Sequence, residues 1–216
     1  MNRTFAIGDI HGCPDKLEDL ISAMDPQPED RIVFLGDYVD RGEGVVEVID
    51  ALIGLAGRFD CIFLRGNHED MFLSFLEFGN NKTVFYANGG LRTVESYARP
   101  DSYVSADQIA RRMPDAHRDF FSHLRWYHED ENYIYAHAGL KPGVPVAEQD
   151  RHDLIWIRDE FISTPTGIPK KVIFGHTPFA RPLVKTDKIG IDTGAVYGGC
   201  LTAVVLPEEK FIQSFR

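Results

Sequence analysis

Side chains that could bind a metal ion recur directly after short apolar segments of this 216-residue chain. Each segment is rich in β-branched residues and runs into a glycine-containing turn, which is typical of strands that end in functional loops. The polar residues of these five turns are Asp9 and His11, Asp37 and Asp40, Asn67 and His68, His137, and His176. Such side chains are poor strand residues and are costly to bury unpaired, so folding needs alone do not account for them. A shared metal centre accounts for all of them.

Each turn is a weak signal when it stands alone. An Asp-X-His triplet such as Asp9 to His11 can chelate one metal from an extended segment, but it can also be surface polarity. Asn67 could cap a helix, and His137 or His176 could be a satisfied core histidine. Together, imidazole and carboxylate ligands suit Mn, Fe, Zn or Co, and a bridging carboxylate holds two ions ~3.5–4 Å apart. The set therefore predicts two metals.

Strands and helices alternate in the first part of the chain, which predicts βαβ units and a parallel sheet. Sites in such sheets form beyond the carboxyl ends of the strands, where these motifs fall. Residues 71–124 are expected to be a helical insertion, broken at 88–90 and at 99–100. One domain is predicted over 1–216. The predicted strands are 4–7, 31–35, 61–64, 133–136, 172–174, 189–191, 201–205 and 211–214.

The formal net charge of −10 disfavours nucleic acid and anionic membrane surfaces as partners. A phosphorylated substrate would then need local positive charge from metal ions or arginines. Three scattered cysteines and no signal-like N-terminal segment favour the cytoplasm. No tract reaches the ~20 apolar residues of a membrane span. Four further histidines lie in polar surroundings and are expected at the surface: His117, His123, His128 and His152.

Five ordered motifs carry a resemblance that spans nearly the whole chain. They are Gly8-Asp9-Ile10-His11-Gly12, Gly36-Asp37-Tyr38-Val39-Asp40-Arg41-Gly42, Gly66-Asn67-His68-Glu69, His137-Ala138-Gly139 and Gly175-His176-Thr177. The chain resembles the PPP-type serine/threonine phosphatases within the calcineurin-like metallophosphoesterases, nearest to the small bacterial and bacteriophage lambda type. The resemblance implies an α/β sandwich of two mixed β-sheets flanked by helices.

The resemblance also implies a role for each motif residue. Asp9 and His11 would hold the first metal, Asp37 would bridge both, and the second would be held by Asn67, His137 and His176. His68 and Asp40 would form the acid pair that protonates the leaving alkoxide. Substrate phosphate would be bound by Arg41, Asn67 and Arg158. Arg158 matches the second phosphate-binding arginine of the lambda-type enzymes through a shorter motif, Ile155-Trp156-Ile157-Arg158. The alternative interpretation of Arg158 is a surface salt bridge.

The activity that the resemblance implies is metal-dependent phosphomonoester hydrolysis, as in a serine/threonine protein phosphatase. A metal-bridging hydroxide would attack phosphorus directly, without a phosphoenzyme. The cofactors would be two divalent ions, Mn first, with Fe, Zn, Ni or Co as alternatives. Substrates would be phosphorylated proteins or small phosphoesters, with phosphotyrosine and aryl phosphates left open. No regulatory subunit is expected.

The nearest alternative is a symmetrical bis(5'-nucleosyl)-tetraphosphatase that hydrolyses diadenosine tetraphosphate to ADP with the same metal centre. His137-Ala138-Gly139 and Asp192-Thr193-Gly194 resemble both groups. The tetraphosphatases that resemble this chain usually have alanine in place of Asp40 and aspartate in place of Glu69, which favours the phosphatase. A binding scaffold on the same fold would have lost ligands that are all present here. A nuclease is disfavoured by the acidic balance.

Overall fold

The structure is a computed structural model that describes residues 3–79, 82–98 and 105–215. Its strands are β1 Thr4–Ile7, β2 Arg31–Phe34, β3 Asp60–Phe63, β4 Tyr127–Glu129, β5 Tyr133–Ala136, β6 Lys171–Phe174, β7 Leu183–Val184, β8 Lys188–Gly190, β9 Thr202–Leu206 and β10 Lys210–Gln213. Its helices are α1 Pro14–Met24, α2 Val45–Ala56, α3 Asn67–Phe78, α4 Lys82–Ala87, α5 Gly90–Ala98, α6 Ala106–Arg112, α7 Asp115–Ser122, α8 Arg151–Trp156 and α9 Asp159–Ser163.

The described strands form two mixed five-stranded sheets. The first has the order β10-β9-β1-β2-β3 and the second the order β4-β5-β6-β8-β7. β1, β2 and β3 are parallel, and so are β5, β6 and β8, while the other pairings are antiparallel. The expected α/β architecture of two mixed sheets with flanking helices is confirmed. Every motif-bearing strand therefore ends at the same edge of its own sheet as its parallel neighbours.

Alternation along the strands produces the layers. Ala6 and Val33 of the first sheet pack with Tyr135 and Ile173 of the second in one apolar cluster between the sheets. The residues between them point outward: Phe5, Ile7, Ile32 and Phe34 pack under the helices of the first sheet. Burial of each such side chain contributes about 1.5–3 kcal/mol, so a one-residue slip in register would be opposed by many side chains together.

The middle of the chain is helical, as expected, although its first helix begins earlier than predicted. α3 begins at Asn67, directly in the motif after β3, and α4 to α7 follow it. The predicted break at 88–90 is confirmed in part, since Asn88 and Gly89 form the turn between α4 and α5. The predicted break at 99–100 lies outside the described residues. In the described ranges, no helix is long and apolar enough to cross a bilayer.

Two strands were missed, and both lie at edges of the second sheet. β4 contains the polar residues His128 and Glu129, and β7 has only two residues, so neither shows a period-2 apolar pattern. The predicted strands otherwise lie within a residue or so of those observed, as is usual for element boundaries.

The expectation that His117 lies at the surface was wrong. Its side chain is 1% exposed, and its two ring nitrogens contact the Tyr97 hydroxyl at 2.7 Å and Asp50 at 2.9 Å. This network joins α2, α5 and α7. The residues next to His117 in the sequence give no sign of these contacts. His128 is half-buried and stacks on Tyr135, whereas the other two histidines of that group, His123 and His152, are exposed as predicted.

Candidate metal centre

The five motif loops meet where the carboxyl ends of the two sheets adjoin. The first two loops are joined through their backbones, since the N–H groups of Ile10 and His11 donate to the carbonyl of Asp37. Gly42 lies so close to this junction that a Cβ there would overlap the carbonyl oxygen of His11. Only glycine fits at that point of close approach.

Backbone strain is concentrated in these loops. Seven non-glycine residues of the described ranges have positive φ, and five of them are motif residues: His11, Asp37, Asp40, Arg41 and His176. The left-handed conformation costs such residues about 1–3 kcal/mol each, and it persists only where the surrounding structure imposes it. The loops are therefore held in conformations that folding alone does not favour, which is typical of functional sites.

Asp37 lies at the middle of the ligand set. Among the described residues, two groups of three side chains have possible ligand atoms within 4.8 Å of one another, and Asp37 belongs to both. Its Oδ2 is 3.4 Å from Nε2 of His11, and its Oδ1 is 3.4 Å from Nε2 of His137. One carboxylate thus offers one oxygen to each group, as a bridging ligand does.

Hydrogen bonds to carbonyls orient two of the imidazoles. Nδ1 of His11 lies 2.8 Å from the carbonyl oxygen of Val39, and Nδ1 of His137 lies 2.9 Å from that of Leu35. Because a carbonyl only accepts, each Nδ1 carries the proton and each Nε2 presents a lone pair to the centre. This is the tautomer that a metal-binding histidine needs.

Further possible ligand atoms converge on the second side of Asp37. Nε2 of His137 is 3.0 Å from Oδ1 of Asn67 and 3.2 Å from Nδ1 of His176. Burial lowers the pKa of His11 and of His137 to about 3 and lowers the pKa of His176 still further, so these rings are neutral at pH 7. The lone pair of His137 Nε2 and the amide oxygen of Asn67 repel each other unless a cation lies between them.

The carboxylates also favour added positive charge. Burial raises the pKa of Asp9 well above its usual range, and the charges of Asp192 and Asp37 raise it further. Burial, together with the charge of Glu69, raises the pKa of Asp37 in the same way. Asp9 is itself oriented by the backbone N–H of His176, which donates to its two oxygens at 3.0 and 3.1 Å.

Divalent cations fit this donor set. Carboxylate, amide oxygen and imidazole are the ligands expected for Mn, Fe, Zn or Co, and all of them here are buried and oriented inward. Four of the six predicted ligands belong to the two groups around Asp37, while Asn67 lies 3.0 Å from His137 and Asp9 accepts from the His176 backbone N–H. That Asp9, His11, Asp37, Asn67, His137 and His176 hold the ions stays a prediction. His68 also approaches, with Nε2 3.9 Å from Oδ2 of Asp37.

The two residues predicted to form an acid pair, His68 and Asp40, contact each other. Nδ1 of His68 lies 2.6 Å from Oδ2 of Asp40, and both side chains are buried. Burial raises the pKa of the Asp40 carboxyl well above its ordinary value and lowers the pKa of the His68 imidazole well below its own. The hydroxyl of Thr93 donates to the other oxygen, Oδ1, and accepts from the Asp40 backbone N–H at 2.9 Å. Thr93 thereby fixes the plane of the carboxylate.

The two predicted phosphate-binding arginines lie on the open side. Arg41 is half-buried, and its Nη1 donates to Nε2 of His11 at 2.5 Å. Arg158 is exposed, and its Nη1 donates to the Thr177 hydroxyl at 3.2 Å, next to His176. The bond to Thr177 places Arg158 at the rim of the centre and not in a remote surface salt bridge.

Glu69 locks two loops together. Its carboxylate accepts from the backbone N–H groups of Asp37 at 2.8 Å, Tyr38 at 2.7 Å, Val39 at 3.2 Å and Gly66 at 2.9 Å. Four such bonds satisfy a buried carboxylate and hold the bridging aspartate in its strained conformation. In the sequence analysis, Glu69 only distinguished phosphatases from tetraphosphatases. Its hydrogen bonds to the two loops were not predicted.

Three further residues of the site were missed. Thr93 comes from helix α5, far from the motifs in sequence, and no local pattern marks it. Asp192 lies beside Asp9, and its Oδ1 accepts from the Gly194 backbone N–H at 2.9 Å. Tyr197 is 65% exposed, with its ring 5.4 Å from the Arg41 guanidinium carbon. The polar run Asp192-Thr193-Gly194 after a predicted strand was the available signal for the last two.

Comparisons with known proteins agree with this geometry. The family model of the calcineurin-like phosphoesterases matches residues 3–198. The bis(5'-nucleosyl)-tetraphosphatase PrpE (asymmetrical) of Oceanobacillus iheyensis is 30% identical over 232 residues, which cover 95% of this chain and 89% of that protein. Serine/threonine-protein phosphatase 1 of Salmonella typhimurium is 30% identical over 208 residues, which cover 92% of this chain and 89% of that protein.

A solved structure is similar over nearly the whole chain. It is described as a "putative diadenosine tetraphosphatase", has a TM-score of 0.74 and 26% identity, and the match covers 98% of this chain and 92% of that one. The two mixed sheets and the match to the family model indicate the same kind of protein. The chain belongs to the calcineurin-like phosphoesterases and is a metallophosphoesterase hydrolase.

Proposed function

We propose that this hydrolase acts on phosphomonoesters with poor leaving groups, and that phosphoserine and phosphothreonine side chains of proteins are its substrates. The observation that carries the proposal is the buried pair formed by His68 and Asp40, whose Nδ1 and Oδ2 are 2.6 Å apart. One relative, as identical to this chain as the Oceanobacillus iheyensis protein and with similar coverage, is named serine/threonine-protein phosphatase 1.

The acid pair matters because the leaving group of a phosphoserine or phosphothreonine ester needs a proton. Serine and threonine depart from phosphorus as strongly basic alkoxides, so a proton donor at the leaving oxygen lowers the barrier substantially. A polyphosphate leaving group is a far weaker base and departs without such help. A buried, oriented imidazole–carboxylate pair is therefore needed for a monoester of an alcohol and is dispensable for an anhydride.

The remaining residues orient the substrate. Arg41 and Arg158 would grip the non-bridging phosphoryl oxygens, where charge accumulates in the transition state. With a proton on each ring nitrogen, His68 would deliver the Nε2 proton to the leaving oxygen and become neutral, while Asp40 accepts from Nδ1 and stabilises the charged ring before that transfer. Two divalent ions, when bound to the six ligands, would lower the pKa of a water molecule and neutralise phosphoryl charge.

The test is the substitution Asp40→Asn assayed with two monoesters. Asparagine keeps a hydrogen-bond acceptor for Nδ1 but removes the charge, so kcat/KM for a phosphoserine peptide should fall about 100-fold or more. 4-Nitrophenyl phosphate, whose leaving group is weakly basic, should lose much less. Equal losses on both substrates would contradict the proposal.

Two controls make the result specific. Asp50→Asn changes another carboxylate that contacts a buried histidine, His117, but outside the site, and should leave both substrates unaffected. Metal content of the Asp40→Asn and His68→Asn variants should remain at two ions per chain. Loss of one ion from His68→Asn would instead make His68 a ligand, because a carboxylate on Nδ1 also accompanies metal-bound imidazoles.

A second candidate is hydrolysis of dinucleoside tetraphosphates. Relatives such as the Oceanobacillus iheyensis protein are named as asymmetrical bis(5'-nucleosyl)-tetraphosphatases, whereas the alternative weighed from the sequence was the symmetrical kind. Asymmetrical cleavage of diadenosine tetraphosphate yields AMP and ATP, and symmetrical cleavage yields two ADP. Chromatography of the products, with wild type and Asp40→Asn compared, distinguishes both routes from each other and from monoester hydrolysis. A preference for the dinucleotide that survives Asp40→Asn would favour this candidate.

A further inference from the structure

Tyr197 is an aromatic side chain that the fold leaves exposed beside the metal centre. It is 65% exposed, in contrast to the buried Ala195 two residues earlier. Its ring centroid lies 5.4 Å from the Arg41 guanidinium carbon, within range of a cation–π contact. The same guanidinium reaches the Nε2 of His11. Arg41 therefore spans the distance from the centre to this ring.

Hydrogen bonds hold the segment that carries Tyr197. It leaves the centre at Asp192, and Gly194 and Gly198, at φ 70° and 87°, bracket a single turn. Within it, the Gly194 carbonyl accepts from the backbone N–H groups of Tyr197 and Gly199, each at 2.9 Å. Lys16 Nζ and the Thr193 hydroxyl bind the carbonyls of Gly199 and Cys200. The backbone that carries the ring is consequently held by hydrogen bonds on both sides of Tyr197.

We propose that Tyr197 is a stacking platform that lets the site also prefer, beside phosphoserine and phosphothreonine, phosphoesters that carry a flat aromatic ring near the scissile phosphate. The inference rests on the proposed function in taking Arg41 as the phosphate-binding arginine. Once Arg41 turns to a phosphoryl oxygen, the face of Tyr197 is free for a ring attached to that phosphate. The ring is an aryl group, as in phosphotyrosine, or a nucleobase, since both offer a π-face and apolar area.

Binding of two phosphonates tests the platform without any turnover. Phenylphosphonate and methylphosphonate share the metal-binding group and differ in the ring, so the Mn-loaded protein should bind the phenyl compound about tenfold more tightly. Tyr197→Ala should abolish that preference, and Tyr197→Phe and Tyr197→Trp should keep it. Isothermal titration calorimetry gives the four dissociation constants for each ligand.

The result that overturns the inference is equally definite. If Tyr197→Ala retains the phenyl preference, the ring does not stack on Tyr197. If Tyr197→Ala weakens the binding of methylphosphonate as much as that of phenylphosphonate, Tyr197 acts only by positioning Arg41. Neither outcome depends on which substrate is hydrolysed, so failure here is distinct from failure of the proposed function.

Turnover then identifies the source of the ring. KM for a phosphotyrosine peptide, a phosphoserine peptide of the same sequence and diadenosine tetraphosphate is compared between wild type and Tyr197→Ala. A rise of about tenfold confined to phosphotyrosine supports an aryl ring, and one confined to the dinucleotide supports a nucleobase. An equal rise for the phosphoserine peptide overturns the platform.

Discussion

Asp40 illustrates how much of the site depends on single contacts. It is buried, its φ is 69°, and its carboxylate contacts His68 through one oxygen and Thr93 through the other. Thr93 both donates to and accepts from this residue, so it fixes side chain and backbone together. Removal of the hydroxyl leaves a buried N–H without its acceptor, which costs about 1–3 kcal/mol. Thr93 is thus a positioning residue for the acid pair.

Thr93→Val should lower kcat/KM for a phosphoserine peptide about tenfold, because Asp40 would no longer hold His68 in one orientation. 4-Nitrophenyl phosphate should be affected less, and Thr93→Ser should restore most of the loss. Steady-state kinetics on both substrates provide the measurement. Ser96→Ala is the matched control on the same helix, since Ser96 accepts from the Val46 N–H at 3.0 Å away from the acid pair. An equal loss on both substrates would mean a general structural effect.

At the scale of elements, the helical insertion is part of the site. The turn between α4 and α5 supplies the Gly89 carbonyl, which accepts from the Arg41 backbone N–H at 3.1 Å, and α5 supplies Thr93. Gly89 has φ 97°, and a Cβ there would lie 2.8 Å from Cγ and 3.0 Å from N of Arg41. The insertion thus contacts Arg41, which is proposed to bind phosphate, and Asp40, which is proposed to belong to the acid pair.

Gly89→Ala should displace Arg41 and weaken phosphate binding about tenfold, read as a higher inhibition constant for orthophosphate. The matched control is Gly79→Ala, which also has positive φ, at 61°, but where an added Cβ would meet no atom within 4 Å. Both variants incur the strain of about 1 kcal/mol that alanine has at positive φ. Unchanged orthophosphate inhibition in Gly89→Ala would show that the turn does not position Arg41.

At the scale of the whole molecule, two sheets contribute halves of one centre. Asp9, Asp37 and Asn67 follow strands of the first sheet, and His137 and His176 follow strands of the second. Cations bound between these loops would bind the folded chain only, since the unfolded chain does not bring the ligands together. Such binding stabilises the native state by mass action.

Removal of divalent ions with a chelator should therefore lower the melting temperature by roughly 5–10 °C, the shift expected for about 2.7 kcal/mol of binding linkage. Mn, Fe, Zn, Ni and Co added back singly to the stripped protein would rank the ions by the recovery that each produces. Circular dichroism melts are sufficient. Asp37→Asn should show little response to any ion, and equal melting temperatures for stripped and loaded wild type would argue against the centre.

Much of the architecture was readable from the sequence because its signals are local. Apolar runs rich in β-branched residues placed eight strands nearly correctly, and the polar residues in the glycine turns after five of them are the ones that the structure brings together. β4 and β7 escaped because short polar edge strands carry no apolar alternation. Local pattern thus predicted which residue types lie where parallel strands end.

The sequence by itself determined the ligand types, the alternation of strands and helices, and the motifs that identify the family. Only the tertiary structure decided that His117 is buried, that Thr93 holds Asp40, that Glu69 binds four N–H groups, and that Tyr197 faces Arg41. The physical reason is separation along the chain. Contacts between residues tens of positions apart depend on how whole elements pack, and no local spacing encodes that packing.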